Sequence, residues 1–284
     1  MKNVRQTLGR LALLVTLGFA SVAFADSDTR FTRVDEDPEG LPRALQLGIV
    51  TYEGRGISVD LVSAIHIGDQ SYYAELNARF TDYAALLYEL VAPSGIDIND
   101  QVGKRKGLLS KTQVTLTRVL DLSFQLDEID YSQPNFVHAD LSPTEFRQSM
   151  EDREESLYVY FWRIFFASIN EYAKDPLGLR DMQLLSSMIT SGQDNSLKTM
   201  MAYEMTNIDA VQDILGEDSD SAIVGARNER AIEVLRSQLD AGARRVGIFY
   251  GVAHMPDLEE RLLNEVGLSY SKTTWVDAWQ LAGE

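Results

Sequence analysis

Two stretches of the chain share one pattern: an apolar run, a histidine, and then a segment with the apolar spacing of a helix. The apolar runs are residues 59–65 and 246–252, the histidines are His66 and His254, and the helix-like segments are residues 71–80 and 257–265. The runs are rich in β-branched and aromatic residues, which is typical of buried strands. Each histidine is therefore predicted to lie in a turn between a strand and a helix, three residues before an aspartate.

A β-hairpin is predicted upstream of the first histidine. Polar and apolar residues alternate over 45–50 and 57–61, with a glycine-rich turn at 53–56 between them, and this order predicts two paired strands of which the second leads to His66. The preceding segment, 26–42, is acidic and contains prolines and glycine. We expect it to be an extended lead-in outside the core.

Three more segments have the composition of strands. Residues 84–91 form an apolar run that is interrupted only by Glu89, which is typical of a buried strand with one carboxylate near its end. Residues 136–139 and 268–275 are a short strand and a terminal strand by the same criteria.

The middle of the chain is predicted to be helical. Ser142 can cap a helix, Pro143 suits the first helical position, and Glu145 completes a capping box. Helical stretches are then expected at residues 143–172, 180–189 and 196–215. A later helix over 228–241 ends at Gly242, a favoured stop residue.

These elements predict an α/β (α+β) fold. A central mixed β-sheet is built from two similar β-turn-α halves, each bearing a histidine at its strand-to-helix turn, with an all-helical insert of about residues 142–216 between them. We expect residues 26–284 to form a single domain, and the 45% apolar content of the chain can fill its core.

The first 25 residues have the pattern of a secretory signal peptide. Three basic residues precede an apolar core at 11–19, and Ala23 and Ala25 supply the small-x-small cleavage pattern. The apolar core is shorter than the ~20 residues of a membrane-spanning helix. We therefore expect cleavage, no membrane span in the mature protein, and a periplasmic or secreted location, with an uncleaved anchor as the alternative.

The chain is strongly acidic and contains no cysteine. Its net charge of −17 becomes more negative by three when the signal segment is removed. Such a surface disfavours nucleic acid and anionic membranes as partners. Without cysteine, a disulfide framework and a cysteine nucleophile are both excluded.

Two of the three histidines fall in equivalent turns, and this suggests a metal site. The ends of parallel strands are where α/β proteins bind ligands, and two imidazoles with one carboxylate make a three-ligand site. Glu89 is the natural third ligand, because a carboxylate in a buried strand needs a partner such as a metal ion or an arginine. The alternatives are that each histidine bonds a local backbone group and that Glu89 faces solvent.

Other polar residues near these elements have more ordinary interpretations. Asp69 and Asp257 are expected to cap helices rather than to bind metal. His138 lies outside the repeated pattern and is predicted to be a structural or surface residue. Arg227, just before a helix, could direct its guanidinium at a substrate oxyanion or be part of an ordinary charged helix start.

Residues 157–166, LYVYFWRIFF, form the most apolar segment after the signal. A core helix is the simplest interpretation. The run has too many large apolar groups for one stripe, so a homodimer surface, a lipid-facing patch or a wall for an apolar ligand is the alternative.

Four short motifs together resemble the TraB/GumN family, which includes the Tiki metalloproteases and is distantly similar to the erythromycin esterases. The motifs are Gly251-Val252-Ala253-His254, Ser63-Ala64-Ile65-His66, Tyr88-Glu89-Leu90 and Arg227-Asn228. In that family two Gly-x-x-His motifs and the intervening glutamate form a metal-dependent hydrolytic centre. The resemblance thus implies His66, His254 and Glu89 as ligands. Ser63 replaces the usual glycine, so the backbone there approaches a metal or substrate less closely.

We therefore predict a periplasmic or secreted metal-dependent hydrolase. His66, His254 and Glu89 would hold a divalent ion, zinc, manganese or cobalt, that activates water. Glu89, if it is not a ligand, or a nearby aspartate would be the general base, and Arg227 would stabilise the oxyanion. The resemblance implies an amide, peptide or other small-molecule substrate. The alternative is a non-catalytic binding protein that uses the same crevice and the aromatic insert.

Overall fold

The computed structural model describes residues 30–91, 122–153, 196–206 and 221–282. Its strands are β1 (Thr32–Glu36), β2 (Pro42–Gly54), β3 (Ile57–Ala64), β4 (Ile67–Gly68), β5 (Ala85–Tyr88), β6 (Ser123–Phe124), β7 (Phe136–His138), β8 (Arg245–Gly251) and β9 (Ser269–Gln280). Its helices are α1 (Gln70–Phe80), α2 (Gln125–Glu128), α3 (Pro143–Asp152), α4 (Ser196–Thr206), α5 (Gly225–Asp240) and α6 (Met255–Arg261), with a 3-10 turn before α6 (Val252–His254) and a π turn after it (Leu262–Val266).

One mixed sheet forms the centre of the molecule. Its strand order is β1-β2-β3-β8-β5-β7, and β9 pairs along the other edge of β2. Strands β1, β2, β3 and β9 pair antiparallel, whereas β3, β8, β5 and β7 run parallel. The two predicted halves are β3 with α1 and β8 with α6, and their strands are neighbours in the sheet. The predicted α/β (α+β) fold is confirmed.

The predicted hairpin sets the register of β2 and β3. Gly54 pairs with Ile57, so only two residues form the turn, and both have positive φ, 53° at Arg55 and 73° at Gly56. This conformation matches the twist of the flanking strands, which is why glycine at the second position favours a two-residue turn. The register then places Val59 opposite Tyr52, and both are fully buried.

Residues 26–42 were predicted to be an extended lead-in outside the core, and this is wrong for residues 31–36. Residues 32–36 form β1, which pairs with β2, and Phe31 is buried beside them. The N–H of Gly48 donates to the carbonyl of Phe31, 2.8 Å. A short edge strand with exposed charges does not show the apolar alternation of a buried strand, so the sequence pattern missed it.

Helices cover both faces of the sheet. Alternate residues of β3 point to opposite faces, since successive side chains of a strand do so. Val62 and Ala64 join the cluster that contains the buried face of α1, whereas Val59 and Leu61 join the cluster that contains α5 and α6. The parallel strands are therefore buried between two layers of helices. Polar side chains can come together only beyond the strand ends.

The helical insert is described in part. Ser142 and Glu145 form the predicted capping box at the start of α3, and α4 occupies the start of the predicted 196–215 helix. The described residues do not include the rest of the helices predicted for the insert, the aromatic segment 157–166 or the signal-like segment 1–25. Helix α5 begins three residues earlier than predicted and is followed by Gly242, whose φ is 101°.

Candidate functional site

Three neighbouring parallel strands end at one edge of the sheet, and each is followed by a predicted site residue. Ala64 of β3 pairs with Gly251 of β8, and Tyr88 of β5 pairs with Phe249 of the same strand. Glu89, His66 and His254 lie one, two and three residues after the ends of β5, β3 and β8 respectively. Carboxyl ends of parallel strands are where open α/β sheets place ligands. The topology therefore brings all three residues to one edge.

His254 is the most enclosed member of the site. It ends the 3-10 turn Val252–His254, and α6 begins at the next residue, so helical structure starts earlier than the predicted residue 257. Its side chain is 6% exposed. The ring packs edge-on against Tyr250, 5.2 Å between centroids. Burial lowers the pKa of His254 below its ordinary value, and this outweighs the opposing effect of Glu89. The imidazole is neutral near pH 7.

Asn228 fixes which ring nitrogen of His254 carries the proton. The Asn228 amide nitrogen donates to the main-chain oxygen of His254, 3.1 Å, and to a carboxylate oxygen of Asp257, 2.8 Å. Its amide oxygen is therefore the atom that lies 2.7 Å from His254 Nδ1 and accepts a hydrogen bond from the Nδ1–H. The lone pair of the neutral ring is consequently on Nε2, which faces the site.

Glu89 lies at the centre of the site as an ionised carboxylate. Its Oε1 accepts from Arg227, 2.8 Å, and its Oε2 accepts from the N–H of Gly251, 2.7 Å. Oε1 is 3.6 Å from His254 Nε2. Burial would raise the pKa of Glu89, but His254, Arg227 and the Gly251 N–H together lower it to about 2. The sequence prediction that this buried carboxylate has a cationic partner is met by Arg227.

Arg227 is held by a carboxylate that sequence reasoning missed. Asp140 takes a bidentate pair of hydrogen bonds from it, 2.9 Å from Nε and 2.6 Å from Nη2, and the Asp140 side chain is fully buried. Burial lowers the pKa of Arg227, but Asp140 and Glu89 outweigh it and raise that pKa. One signal could have revealed Asp140: it follows β7 two residues after the strand, at the same sheet edge as Glu89.

His66 occupies a different position from His254. It is exposed, between β3 and β4, and its main-chain oxygen accepts from the N–H of Gln125, 2.9 Å. His66 is one of the groups that lower the pKa of Glu89. The structure thus joins His254, Glu89 and Arg227 by direct contacts and places His66 at the rim. Ser63, at the variant position of the first motif, is a buried residue of β3 paired with Tyr250.

The cluster of His254, Glu89, Arg227 and Asp140 has some of the features of a metal-binding site. The gap of 3.6 Å between His254 Nε2 and Glu89 Oε1 is close to the roughly 3.4 Å between two ligands of a tetrahedral zinc site. Because Asp140 and Glu89 carry two negative charges against the one positive charge of Arg227, the cluster also has one unbalanced negative charge. Within the described part of the chain, however, no group of three or more histidine, aspartate or glutamate side chains is close enough together to hold a metal ion.

The two aspartates predicted to cap helices do not cap them. Asp69 is the N-terminal residue before α1 but makes no cap bond, and instead pairs with the buried Lys198 of α4, 2.9 Å. Asp257 lies inside the first turn of α6 and accepts from Asn228 and from Arg261, 2.7 Å. Each carboxylate is instead paired with a cation, Lys198 or Arg261, in a charge-assisted hydrogen bond.

His138 has the structural role predicted for it. Its Nε2 lies 2.6 Å from the main-chain oxygen of Leu90, and its ring packs against Tyr88, 5.7 Å between centroids. It supports the strand end that carries Glu89 without contacting the carboxylate in the described structure.

No helix within residues 30–91, 122–153, 196–206 and 221–282 combines the length and apolar content needed to cross a membrane. Comparisons of the chain with protein-family models, with curated proteins and with solved structures found no match.

Proposed function

We propose that this protein is a hydrolase whose centre is the pair His254 and Glu89, acting on one water molecule beside Arg227. The observation that carries the proposal is the 3.6 Å separation of His254 Nε2 and Glu89 Oε1. A neutral ring nitrogen with a lone pair and an ionised carboxylate oxygen at this distance can engage the same water molecule or the same cation.

A divalent ion, zinc, manganese or cobalt, is part of the proposal. His254 Nε2 and Glu89 Oε1 would hold it, with His66 as the third ligand implied by the TraB/GumN resemblance. When bound, such an ion lowers the pKa of a water molecule enough for it to act as a nucleophile near neutral pH. The unbalanced negative charge of the cluster supports this assignment, because a cation would neutralise it.

The neighbouring residues have distinct roles in this proposal. Glu89, with a pKa of about 2, is a poor proton acceptor near neutral pH, so we assign it the role of ligand and negative charge rather than general base. Asp140 fixes the guanidinium of Arg227, whose Nη1 lies 3.4 Å from His254 Nε2. A fixed cation at this point can stabilise the negative charge that develops on a substrate oxygen.

The substrate and location in the proposal rest on the sequence. The resemblance to the TraB/GumN family, through the motifs at His66, Glu89, Arg227 and His254, supports an amide or peptide substrate. The signal-like segment 1–25 supports a periplasmic or secreted location.

Metal analysis of the purified mature protein tests the proposal. We expect about one zinc, manganese or cobalt ion per chain after reconstitution, and loss of that ion together with hydrolysis of peptide substrates in His254→Ala. Asn135→Ala is the control, since Asn135 donates to the backbone oxygens of Phe80 and Tyr83 away from the site, and should keep both. A wild type that neither binds any of these ions nor hydrolyses a peptide library would overturn the proposal.

A non-catalytic binding protein is the second candidate. The observation that favours it is that Arg227 already pairs with both carboxylates of the site, as it would in a purely structural ion network. In that case His254→Ala should lower the free energy of unfolding and change neither metal content nor hydrolysis. The same set of variants thus separates the two functions.

A further inference from the structure

A pair of polar side chains, Gln125 and Tyr131, lies between His66 and Glu89 and contacts neither His254 nor Arg227 in the described structure. Gln125 begins α2, and its N–H bonds the carbonyl of His66. Its side-chain amide donates to the hydroxyl of Tyr131, 2.9 Å. The Tyr131 ring packs against Tyr88, 5.4 Å between centroids, and Tyr88 is the residue before Glu89. The pair therefore bridges the two strand ends that carry these site residues.

Each member of the pair retains an unused hydrogen-bonding position. Gln125 is buried, and its Oε1 accepts no hydrogen bond in the described structure. The Tyr131 oxygen accepts from Gln125, and no acceptor for its own hydrogen is found among the described residues. Leaving a buried acceptor unpaired destabilises a protein. Native proteins rarely do so without a functional reason or a bound molecule at that position.

We propose that Gln125 and Tyr131 bind a secondary amide group of the substrate beside the His254 and Glu89 centre. Gln125 Oε1 accepts from the amide N–H, and the Tyr131 hydroxyl donates to the carbonyl of the same or the adjacent amide. This inference deepens the proposed function, because it assigns the substrate class to a recognition site. An ester of the same shape has no N–H and leaves Gln125 Oε1 unpaired, so the site should discriminate against it.

Both side chains are enclosed by protein, so a hydrogen bond made to either is little weakened by competing water. The Tyr131 side chain is as enclosed as that of Gln125, and burial raises the pKa of Tyr131 above its ordinary value, with a further contribution from Glu89. The hydroxyl therefore keeps its proton near neutral pH and is available as a donor. The contribution of Glu89 also indicates that the ring lies within electrostatic reach of the centre.

The test compares matched amides and esters. Carboxylic acids that contain no other amide group are prepared as N-methylamides and as the corresponding methyl esters, and their affinities are measured by ligand-observed NMR with the full mature chain. We expect the wild type to bind the preferred amide at least about tenfold more tightly than its ester, from one well-placed hydrogen bond. Gln125→Leu and Tyr131→Phe should each reduce this ratio to below about threefold, and the double variant should abolish it.

Folding of the variants is checked by urea unfolding. Replacing both polar partners by apolar groups of similar shape is close to neutral for stability, so the double variant should fold. Tyr131→Phe keeps the packing against Tyr88 and serves alone if Gln125→Leu does not fold. Equal binding of amide and ester by the wild type, an amide preference that survives in the variants, or absence of binding at millimolar probe concentration would each overturn the inference.

The same samples separate this inference from the proposed function. Amides that bind with the expected preference but are never cleaved, with or without added zinc, manganese or cobalt, support the recognition site and count against the hydrolase. Peptides that are cleaved by a wild type without amide preference support the hydrolase and overturn the recognition site.

Discussion

His254 Nδ1 lies 2.7 Å from the side-chain oxygen of Asn228, and that contact determines the chemistry of the ring. Since the Asn228 nitrogen is already committed to two acceptors, its oxygen can only accept, and Nδ1 must carry the proton. The reactive lone pair is therefore on Nε2, toward Glu89 and Arg227. An uncharged amide does here what a carboxylate often does for a metal-binding histidine.

Removing the side chain of Asn228 should weaken both the fold and the site. Asn228→Ala leaves the Nδ1–H of His254 and the carboxylate of Asp257 without their buried partner, which costs about 1–3 kcal/mol in the free energy of unfolding. Activity or metal affinity should fall roughly 10- to 100-fold, as is usual for residues that orient a ligand. Urea unfolding and kinetics measure the two effects, and ¹⁵N NMR of the histidine rings should show the Nδ1–H tautomer in the wild type.

Asn135→Ala is the matched control for that prediction. The Asn135 amide donates to two backbone oxygens, of Phe80 and Tyr83, away from the site. This variant should lose a similar amount of stability and keep its activity. Equal activity losses in the two variants would show that Asn228 acts through stability alone.

Removing the carboxylate of Asp140 should strongly lower the free energy of unfolding. Asp140→Ala leaves the guanidinium of Arg227 buried with only Glu89 as its carboxylate partner. Breaking a buried ion pair from one side typically costs about 3–5 kcal/mol, and we expect a loss of that size together with loss of activity. Equilibrium urea unfolding gives the free energy.

The double variant tests whether Asp140 and Arg227 act as a unit. Arg227→Met combined with Asp140→Leu removes both charges. The free energy of unfolding lost in this double variant should be smaller, by about 1–3 kcal/mol, than the sum of the losses in Arg227→Met alone and Asp140→Leu alone. Strictly additive losses would mean that the two residues do not stabilise the fold through each other.

The free energy of unfolding should decrease in acid, over a pH range set by the ionisation of Glu89. The pKa of this carboxyl is about 2 in the folded protein against a reference value of 4.5. A lowered folded pKa means that the stabilisation is complete above about pH 4.5 and is lost as the pH falls toward 2. The shift corresponds to at most about 3 kcal/mol. Urea unfolding at a series of pH values should show this decline, and Glu89→Gln should flatten it.

Glu145 provides the comparison for the acid window. The Ser142 backbone and hydroxyl groups and Arg230 also lower the pKa of Glu145 to about 2, but its side chain is largely exposed. Solvent screens such interactions, so Glu145→Gln should flatten the acid decline much less than Glu89→Gln. Equal effects of the two variants would contradict the assignment of the window to the site.

Gly251→Ala should affect the site more than the fold. The backbone at Gly251 has an ordinary φ of −54°, so alanine is not strained there. An added Cβ would lie 3.2 Å from Glu89 Oε2 and 3.9 Å from the His254 ring, which forces the carboxylate to shift by a few tenths of an ångström. We expect a roughly two- to tenfold loss of kcat/KM or metal affinity with a stability change below about 1 kcal/mol.

Gly242→Ala should show the opposite behaviour. Gly242 has a φ of 101°, and an added Cβ would meet no atom within 4 Å. Alanine is strained at such a φ, so stability should fall by about 1 kcal/mol or more while activity is kept. If Gly251→Ala instead resembled Gly242→Ala, the close approach at Gly251 would have no functional part.

The sequence by itself determined the elements with strong local signals. Period-two alternation and the glycine-rich turn at 53–56 gave the β2–β3 hairpin, and the capping box at Ser142 gave the start of α3. The apolar runs before His66 and His254 gave β3 and β8, because β-branched and aromatic residues in short runs are typical of buried strands. A lone glutamate in an apolar run was enough to predict that Glu89 has a cationic partner, since an unpaired buried charge is too costly.

Only the tertiary structure decided which side chains meet. Parallel pairing of β3, β8, β5 and β7 brings together residues that are far apart in the chain, and no local pattern encodes that pairing. It added Asp140 as the anchor of Arg227 and exposed His66 at the rim while burying His254. Local chemistry fixes what each residue can do; the order of the strands, set by the packing of the whole core, fixes which partner each residue has.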